Sequence, residues 1–358
     1  MSGYRPFTVA SLSFGLSLMA LRVVAPAAGG GVGEATLDPA FASDYVAFDL
    51  GVPPVPFPMG GVTFAPGVTD TLLLAGGAAE ASGAIYAVGL TRDCAGNLTG
   101  FDGTADAIAA APFVDGGVRV TDAGTLLHTA YDGNTIAQIL PDQTVADRIV
   151  DLSDLGMVPS TGGMTVVPPG FPGAGRLKTT SFDFGWWYDV DATPDGAGLL
   201  DITGFSNVVQ GLGGGPEGIL YVPGTYPGFG DDHVLVSLWD EGRIDAFAVD
   251  AAGDPLVASR RGFVTEMAGP EGATIDPVTG DLIFSTFSTA HRVFAVRPID
   301  HCPLDIAPGG GDGDIGLADL LLILADWGAC TAADVTGDGA VDFLDLLTVV
   351  GAWGSCPG

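Results

Sequence analysis

The sequence predicts a mainly β fold over most of its length and a small helical module at the C-terminal end. Glycine and proline are abundant, at 56 and 25 of 358 residues, which favours a turn-rich fold. Between residues 40 and 298, short alternating apolar segments are separated by Gly, Pro, Asp and Asn, and no long amphipathic helix stands out. The last part of the chain instead contains two short apolar segments that match each other at a fixed offset.

The charge balance excludes one class of partner. Lys and Arg number 12 against 43 Asp and Glu, which gives a net charge of −31. A chain of this charge is repelled by phosphate backbones, so we expect no nucleic-acid binding. Hydrophobic residues make up 47% of the chain, enough to form a packed core.

The first residues have the organisation of a secretory signal peptide. Arg5 precedes an apolar run from Phe7 to Leu21, and the small-residue stretch 25–28 follows. This order predicts export and removal of residues 1–28. An uncleaved membrane anchor is the alternative, although the run is shorter than the roughly 20 residues that a span requires. We expect no other membrane span and a secreted or cell-surface location.

Four cysteines fit an oxidising compartment. Three of them, Cys302, Cys330 and Cys356, lie near the C-terminus, whereas Cys94 lies far upstream. A Cys302–Cys356 bond would join the ends of the C-terminal module, and Cys330–Cys356 is the competing pair. In either case we expect a remaining cysteine that is free or pairs across domains.

A repeated strand entry divides residues 40–298 into similar units. Each entry contains a glycine, and these glycines are 46 to 56 residues apart: Gly61, Gly117, Gly163, Gly218 and Gly272. A period near 50 with about four strands per unit is typical of a β-propeller, whose crowded innermost strands favour small residues. We predict five blades, with six as the alternative count, and strand 45–50 completing the last blade. A β-sandwich or a solenoid is the competing architecture.

The repeats resemble those of NHL and gluconolactonase-type propellers in phrases such as the PEGATIDPVTGD of residues 270–281. A duplicated Gly-Pro-Glu-Gly places Glu217 and Glu271 at equivalent points of adjacent blades, close to the predicted channel mouth. There they could hold a metal ion or bind a sugar, as catalytic candidates of a metal-dependent hydrolase, lactonase or carbohydrate-active enzyme. The favoured interpretation is that each accepts hydrogen bonds from neighbouring turn amides.

Two further segments have competing interpretations. Trp186, Trp187 and Tyr188 could form a stacking platform for a sugar, but a core strand is favoured. Residues 171–178, which end at Lys178, are predicted to be a loop.

The C-terminal segments 319–330 and 345–356 match at an offset of 26 residues. Each predicts a loop followed by a short helix whose apolar face packs on its partner. The second loop has an EF-hand-like spacing of oxygen donors that suits Ca²⁺, with Gly339 at the sharp turn. An ordinary Asp/Gly turn is the alternative. The predicted ligands are Asp334, Thr336, Asp338, the Ala340 carbonyl, Asp342 and Asp345.

The first loop predicts a weaker calcium site. It is three residues longer, Ala307 replaces one oxygen ligand, and Gly316 stands where the second loop has Asp342. Its candidate ligands are Asp305, Asp312, Asp314 and Asp319.

Residues 302–356 resemble a type I dockerin, in the Cys-flanked form that ends in Ala-Trp-Gly-x-Cys. The resemblance implies a calcium-folded domain over residues 302–358 that docks its host onto a cohesin. Where the family often has a Ser-Thr pair, this chain has Leu317-Ala318 and Phe343-Leu344. A cohesin-like partner, another extracellular docking protein and a structural role therefore all remain open.

Together these features predict an exported, non-enzymatic binding protein. A calcium-dependent tail would attach it to an extracellular partner, and the propeller would present a surface to a ligand, with polysaccharide among the candidates. An enzyme that uses Glu217 and Glu271, and a structural component of an envelope layer, are the alternatives.

Overall fold

The computed structural model describes residues 35–287, 291–307 and 311–356. The predicted signal peptide lies outside the described residues. The chain first forms two strands, β1 (Thr36–Leu37) and β2 (Tyr45–Gly51), and then five successive antiparallel sheets.

In each of these sheets the strand that comes first in the repeat is the innermost. The first blade contains β3 (Met59–Thr63), β4 (Thr71–Gly76), β5 (Ala84–Arg92) and β6 (Leu98–Ala110). The second contains β7 (Val114–Val120), β8 (Leu126–Ala130), β9 (Thr135–Ile139) and β10 (Arg148–Asp151). The third contains β11 (Thr161–Val166), β12 (Leu177–Ser181), β13 (Trp186–Pro194) and β14 (Leu200–Gln210).

The last two blades include the N-terminal strands. The fourth contains β15 (Pro216–Val222), β16 (His233–Leu238), β17 (Arg243–Ala248), β18 (Arg261–Thr265) and, at its outer edge, β1. The fifth contains β19 (Pro270–Ile275), β20 (Leu282–Thr286), β21 (Val293–Pro298) and, outermost, β2. Tyr45 pairs with Pro298 in this blade. The predicted closure of the ring by strand 45–50 is thus confirmed, and the blade count is five.

The hydrophobic core lies between the blades. Five clusters of buried side chains each join two neighbouring blades, including the last and the first. In the cluster between the fifth and first blades, for example, Ile283 packs with Val62 and Leu74. This cyclic arrangement identifies a closed five-bladed propeller rather than a β-sandwich or a solenoid.

The glycines at the strand entries allow the innermost strands to approach closely. A Cβ atom on Gly61 would lie 2.7 Å from the Gly116 carbonyl oxygen, and one on Gly117 would lie 2.8 Å from the Met164 nitrogen. The glycines at the other three entries meet the backbone of the next blade in the same way. Each of the five contacts links a blade to its successor, so the sequence period reflects a steric requirement at the channel.

In the third blade, one prediction is wrong and another is confirmed. Lys178 does not lie in a loop but is fully buried in β12, where its Nζ bonds the Asp254 carboxylate. Trp187 is likewise fully buried, and its Nε1 donates to the same carboxylate over 2.8 Å. The core interpretation of the Trp186–Tyr188 segment is therefore the correct one for Trp187 and Tyr188, which are both buried in β13.

The C-terminal part contains two short helices, α1 (Leu317–Ala325) and α2 (Phe343–Gly351), and a two-stranded ladder of β22 (Asp314–Ile315) with β23 (Gly354–Ser355). Its buried core is small and consists of Ile315, Ile323, Ala333, Val341 and Val349. None of the described helices is both long and apolar enough to cross a bilayer.

Two disulfides stabilise this part of the chain. Cys302 bonds Cys356 and closes the module on itself, whereas Cys330 bonds Cys94 in the β5–β6 hairpin of the first blade. The hairpin is itself held by Arg92, whose Nη1 and Nη2 each donate to Asp276 of the fifth blade over 2.7 Å. Because of these bonds, the helices are covalently attached to a rigid part of the propeller.

Candidate functional site

A single side chain, Arg119 of β7, closes the propeller channel. Its guanidinium has five N–H donors, and it donates hydrogen bonds of 2.6 to 3.2 Å to one atom in each of the five innermost strands. The acceptors are the carbonyls of Val62, Val118, Ile219 and Ala273 and the hydroxyl of Thr165. Burial lowers the pKa of Arg119 to about 10, so it stays charged at neutral pH.

A pocket of about 730 Å³ opens on one side of Arg119, where the innermost strands end. All five blades contribute to its wall, and the β13–β14 hairpin adds Pro194 and Leu200. The wall is largely apolar with several threonine hydroxyls, and Asp122 is its only carboxylate among the described residues. Such a pocket suits an uncharged ligand better than hydrolytic chemistry.

Three carboxyl groups meet on the other side of Arg119, at the beginning of the innermost strands. Asp115, Glu217 and Glu271 come from three different blades, and their oxygen atoms lie within 4.8 Å of one another. They are 5%, 1% and 1% exposed. The Gly116 amide donates to Glu217 Oε2 over 3.2 Å. Glu217 thus accepts an amide, but the donor lies in β7 of the second blade rather than in a neighbouring turn. Both glutamates are buried inside the channel rather than lying close to its mouth.

Burial and mutual repulsion make these groups reluctant to ionise. Burial raises the pKa of Asp115 to about 7. The pKa values of Glu217 and Glu271 are raised well above the usual range, first by burial and then by the charge of neighbouring carboxylates. The three groups thus behave as one coupled acidic cluster.

An arc of aromatic rings lies at the same end of the channel. Phe57, Tyr131, Phe182, Trp239 and Phe287 contact one another in series with centroid distances of 5.6 to 6.3 Å. Phe182 approaches Gly215, and the Trp239 indole nitrogen approaches Gly269. Because these glycines directly precede β15 and β19, the arc lies over the strand ends that carry Glu217 and Glu271.

The second C-terminal loop wraps its backbone around two buried carboxylates. Asp334 Oδ1 accepts the amides of Gly337 and Asp338, and its Oδ2 accepts that of Gly339. Asp345 accepts the Thr336 amide over 2.9 Å and the Asp342 amide over 2.6 Å. Burial raises the pKa of Asp345, but these hydrogen bonds outweigh it and the net shift is downward.

Two other predicted ligands of this loop have fewer partners. The carboxylate of Asp338 accepts the Ala340 amide over 3.2 Å, and that of Asp342 accepts the Leu344 amide over 2.7 Å. Both side chains therefore have lone pairs available for an ion.

The first loop repeats this arrangement. Asp305 accepts the amides of Asp312 and Gly313, as Asp334 does in the second loop. Asp319 accepts the amides of Ile306, Ala307 and Gly316, and its pKa is lowered because these bonds outweigh the effect of burial. Asp314 instead accepts the Ser355 hydroxyl over 2.7 Å, which ties the loop to β23. Both loops therefore have the same internal scaffold despite their different lengths.

The two helices expose matching apolar stripes. Four pairs of side chains at the 26-residue offset are each 45 to 61% exposed: Leu317 and Phe343, Leu321 and Leu347, Leu324 and Val350, and Trp327 and Trp353. Residues 302–356 contain no Lys or Arg. The exposed face is thus apolar with acidic surroundings.

Sequence reasoning found only some of these residues. It missed Asp115 and Arg119, although a lone Arg in an apolar innermost strand was a usable signal for the latter. In the described part of the chain, the groups that gather three potential ligand atoms within 4.8 Å are the Asp115 cluster and a set around the Cys302–Cys356 disulfide. The carboxylates of the second C-terminal loop are not drawn together to this extent.

Comparison with known proteins identified no matching family model and no matching curated protein. The fold is similar to the PQQ domain of a pyranose dehydrogenase from Coprinopsis cinerea, with 11% identity, a TM-score of 0.43, and coverage of 76% of this chain and 99% of that one. It is also similar to a glutaminyl cyclase from Myxococcus xanthus, with 14% identity, a TM-score of 0.43, and coverage of 72% and 98%. An auxiliary nutrient binding protein from Bacteroides thetaiotaomicron gives 9% identity, a TM-score of 0.42, and coverage of 72% and 77%. These structural similarities are too distant to indicate an activity for this chain.

Proposed function

We propose that this chain is an exported, non-enzymatic binding protein whose C-terminal helices form a calcium-stabilised, dockerin-like docking module. The observation that carries the proposal is the pair of exposed apolar stripes at the 26-residue offset. Exposing these apolar side chains to water is unfavourable, and the small core of the module does little to offset that cost. A partner that covers them would remove it. The disulfide between Cys94 and Cys330 would hold the docked propeller in a defined orientation.

The second loop fits a calcium ion by its donor chemistry. Its ligands would be the side chains of Asp334, Thr336, Asp338, Asp342 and Asp345 and the Ala340 carbonyl, all hard oxygen donors. The carboxylates have no cationic partner in the described part of the loop, so a bound ion would offset their repulsion. Asp305, Asp312, Asp314 and Asp319 would hold a second ion more weakly, since Gly316 supplies no side chain.

The partner we propose is a cohesin-like protein with an apolar surface edged by basic residues. The exposed face is apolar, and its surroundings are acidic without Lys or Arg. A partner surface that is apolar and edged by basic residues would complement it. A second copy of this chain is a poor partner, because two molecules of net charge −31 repel each other.

The propeller would present its ligand at the pocket beside Arg119. An enzyme that uses Glu217 and Glu271 is not favoured by the geometry, since both carboxyls are 1% exposed and Arg119 separates them from the pocket. Export is proposed from the N-terminal sequence and agrees with the two disulfides.

A calcium titration of the full chain tests the module. We expect ions that bind reversibly and are removed by a chelator, with affinity lowered about tenfold or more in Asp338→Asn or Asp342→Asn. Asp326→Asn is the matched control, because Asp326 bonds Thr331 at the end of α1 and is not a predicted ligand. Equal affinity in all variants would contradict the loop assignment.

A binding assay against a panel of cohesin domains, with calcium present, tests the docking face. Leu321→Asp combined with Leu347→Asp should abolish binding without loss of the far-ultraviolet circular dichroism signal. Val145→Asp changes a propeller side chain of similar exposure, 60%, and should leave binding intact. Self-association of the parent chain in sedimentation, with no cohesin binding, would overturn the proposed partner.

A further inference from the structure

The guanidinium of Arg119 lies across the propeller channel with one flat face towards the pocket. Four of its acceptors are the carbonyls that directly follow an entry glycine, those of Val62, Val118, Ile219 and Ala273, and the fifth is a hydroxyl one position further along its strand. The acceptors therefore surround the guanidinium at one level of the channel. Because the N–H bonds of a guanidinium lie in its plane, that plane crosses the channel axis. Arg119 is partly exposed and lines the pocket.

This face carries a positive charge but offers no hydrogen bond. All five N–H donors of Arg119 are used by the strands, so an anion in the pocket would receive none from it. None of the ion pairs among the described residues involves Arg119. The face of a guanidinium is weakly hydrated and stacks on aromatic rings, whose electron-rich faces attract a cation. An aromatic ring is therefore the group that complements this surface.

An unused hydroxyl lies beside the guanidinium. The residues two positions after the entry glycines all line the pocket: Thr63, Arg119, Thr165, Leu220 and Thr274. The hydroxyls of Thr63 and Thr165 donate to backbone carbonyls. The Thr274 side chain is 9% exposed, and its hydroxyl has no hydrogen-bond partner among the described residues, although most buried polar groups have one. Thr274 directly follows Ala273, whose carbonyl accepts Arg119 Nη2 over 2.9 Å.

We propose that the pocket binds an uncharged phenolic compound of two or more rings. One ring stacks on the Arg119 guanidinium, and the phenolic hydroxyl of the ligand bonds the Thr274 hydroxyl. This inference rests on the proposed function, which places the ligand of the propeller in this pocket, and adds the chemical class of that ligand. The site is separated by Arg119 from the carboxyl groups at the beginning of the innermost strands.

The size and wall of the pocket agree with such a ligand. Its volume of about 730 Å³ lies within the range of pockets that enclose drug-sized molecules. The apolar wall includes Pro66, Pro168, Leu200 and Pro277, which would cover the ring edges. Asp122 is exposed, and its carboxylate, together with the net charge of −31, disfavours an anionic ligand.

Equilibrium dialysis of the full chain against 2-naphthol and decahydro-2-naphthol tests the aromatic class. The two alcohols share a carbon skeleton, but only 2-naphthol has a π face. We expect 2-naphthol to bind about tenfold more tightly than the saturated alcohol. Equal affinities would overturn this inference and leave the pocket as the ligand site. Binding of neither alcohol would overturn both this inference and the proposed ligand pocket.

Variants assign the two contacts. Arg119→Lys replaces the planar group and should remove most of the preference for 2-naphthol over decahydro-2-naphthol. Thr274→Val should lower the affinity for 2-naphthol about fivefold and leave that for naphthalene, which has no hydroxyl, unchanged. Thr348→Val on α2 is the matched control and should bind all three compounds as the parent does. Parent-like affinity for 2-naphthol in both Arg119→Lys and Thr274→Val would overturn the proposal.

Discussion

The α-carbon of Gly163 lies against the backbone of Glu217, so that a methyl group on Gly163 would overlap the Glu217 carbonyl oxygen. Gly163 belongs to the innermost strand of the third blade and Glu217 to that of the fourth. The same contact recurs around the ring at Gly61, Gly117 and Gly218 and closes at Gly272, which meets Val62 of the first blade. The propeller is therefore held to five blades by a cycle of backbone contacts that leave no room for a side chain.

Gly163→Ala should destabilise the propeller strongly. The obstacle is a backbone carbonyl rather than a flexible side chain, so relief requires the two blades to separate, and we expect a loss of about 3 kcal/mol or more. Urea unfolding followed by tryptophan fluorescence measures the change. Gly204→Ala is the matched control, because its Cβ would meet only the end of the Asp191 side chain at 3.1 Å. Equal unfolding midpoints for the two variants would contradict the steric explanation.

Arg119→Ala should also destabilise the protein, by about 3 kcal/mol, because several channel acceptors lose their donor together. Arg119→Lys retains the charge but has only three donors and cannot reach all five strands, so it should fall between the parent and Arg119→Ala. The free energy of unfolding in urea measures both. A Lys variant as stable as the parent would show that charge alone, and not the five-fold hydrogen bonding, closes the channel.

His128 predicts a loss of stability in acid. It is 2% exposed, and burial lowers its pKa to about 4, although a hydrogen bond with the Thr129 carbonyl opposes the shift. Between the unfolded pKa near 6.5 and the folded pKa near 4, the unfolded chain binds the extra proton. Stability from this group is therefore present above about pH 6.5 and declines by about 3 kcal/mol as the pH falls to 4.

The measurement is the free energy of unfolding as a function of pH in the parent and in His128→Asn. Between pH 4 and 6.5, the free energy of unfolding of the variant should depend less steeply on pH than that of the parent, by the amount that corresponds to about one bound proton. The exposed His301→Asn serves as control and should retain the parent slope. Parallel curves for the parent and His128→Asn would contradict the assignment.

Removal of the Cys94–Cys330 disulfide should free the C-terminal module without unfolding it. In the double variant Cys94→Ser and Cys330→Ser, the module keeps its own Cys302–Cys356 bond and its small core. Small-angle scattering should then show a larger radius of gyration, because one covalent attachment to the first blade is lost. Cys302→Ser with Cys356→Ser is the complementary variant and should instead make folding of the module more dependent on calcium. Unchanged scattering in the first variant would show that other contacts hold the module in place.

Local patterns were enough to predict the architecture. The recurrence of glycine at the strand entries reflects the crowding of innermost strands, and that crowding is present in every blade, so the period was visible without coordinates. The two late helices were likewise predicted from the apolar segments that follow Asp319 and Asp345. The pairing of Cys302 with Cys356 was one of two alternatives, and only the folded module selects it.

The sequence by itself determined the five-fold repeat, the strand that closes the ring and the duplicated loop-helix module, because each depends on residues that are neighbours in the chain or recur at a constant interval. Tertiary structure alone decided the channel. Arg119 and its acceptor in the fifth blade, Ala273, are 154 residues apart, and Asp115 and Glu217 are 102 apart. No local pattern records such contacts, since they arise only when five blades close around one axis and bring their first residues together.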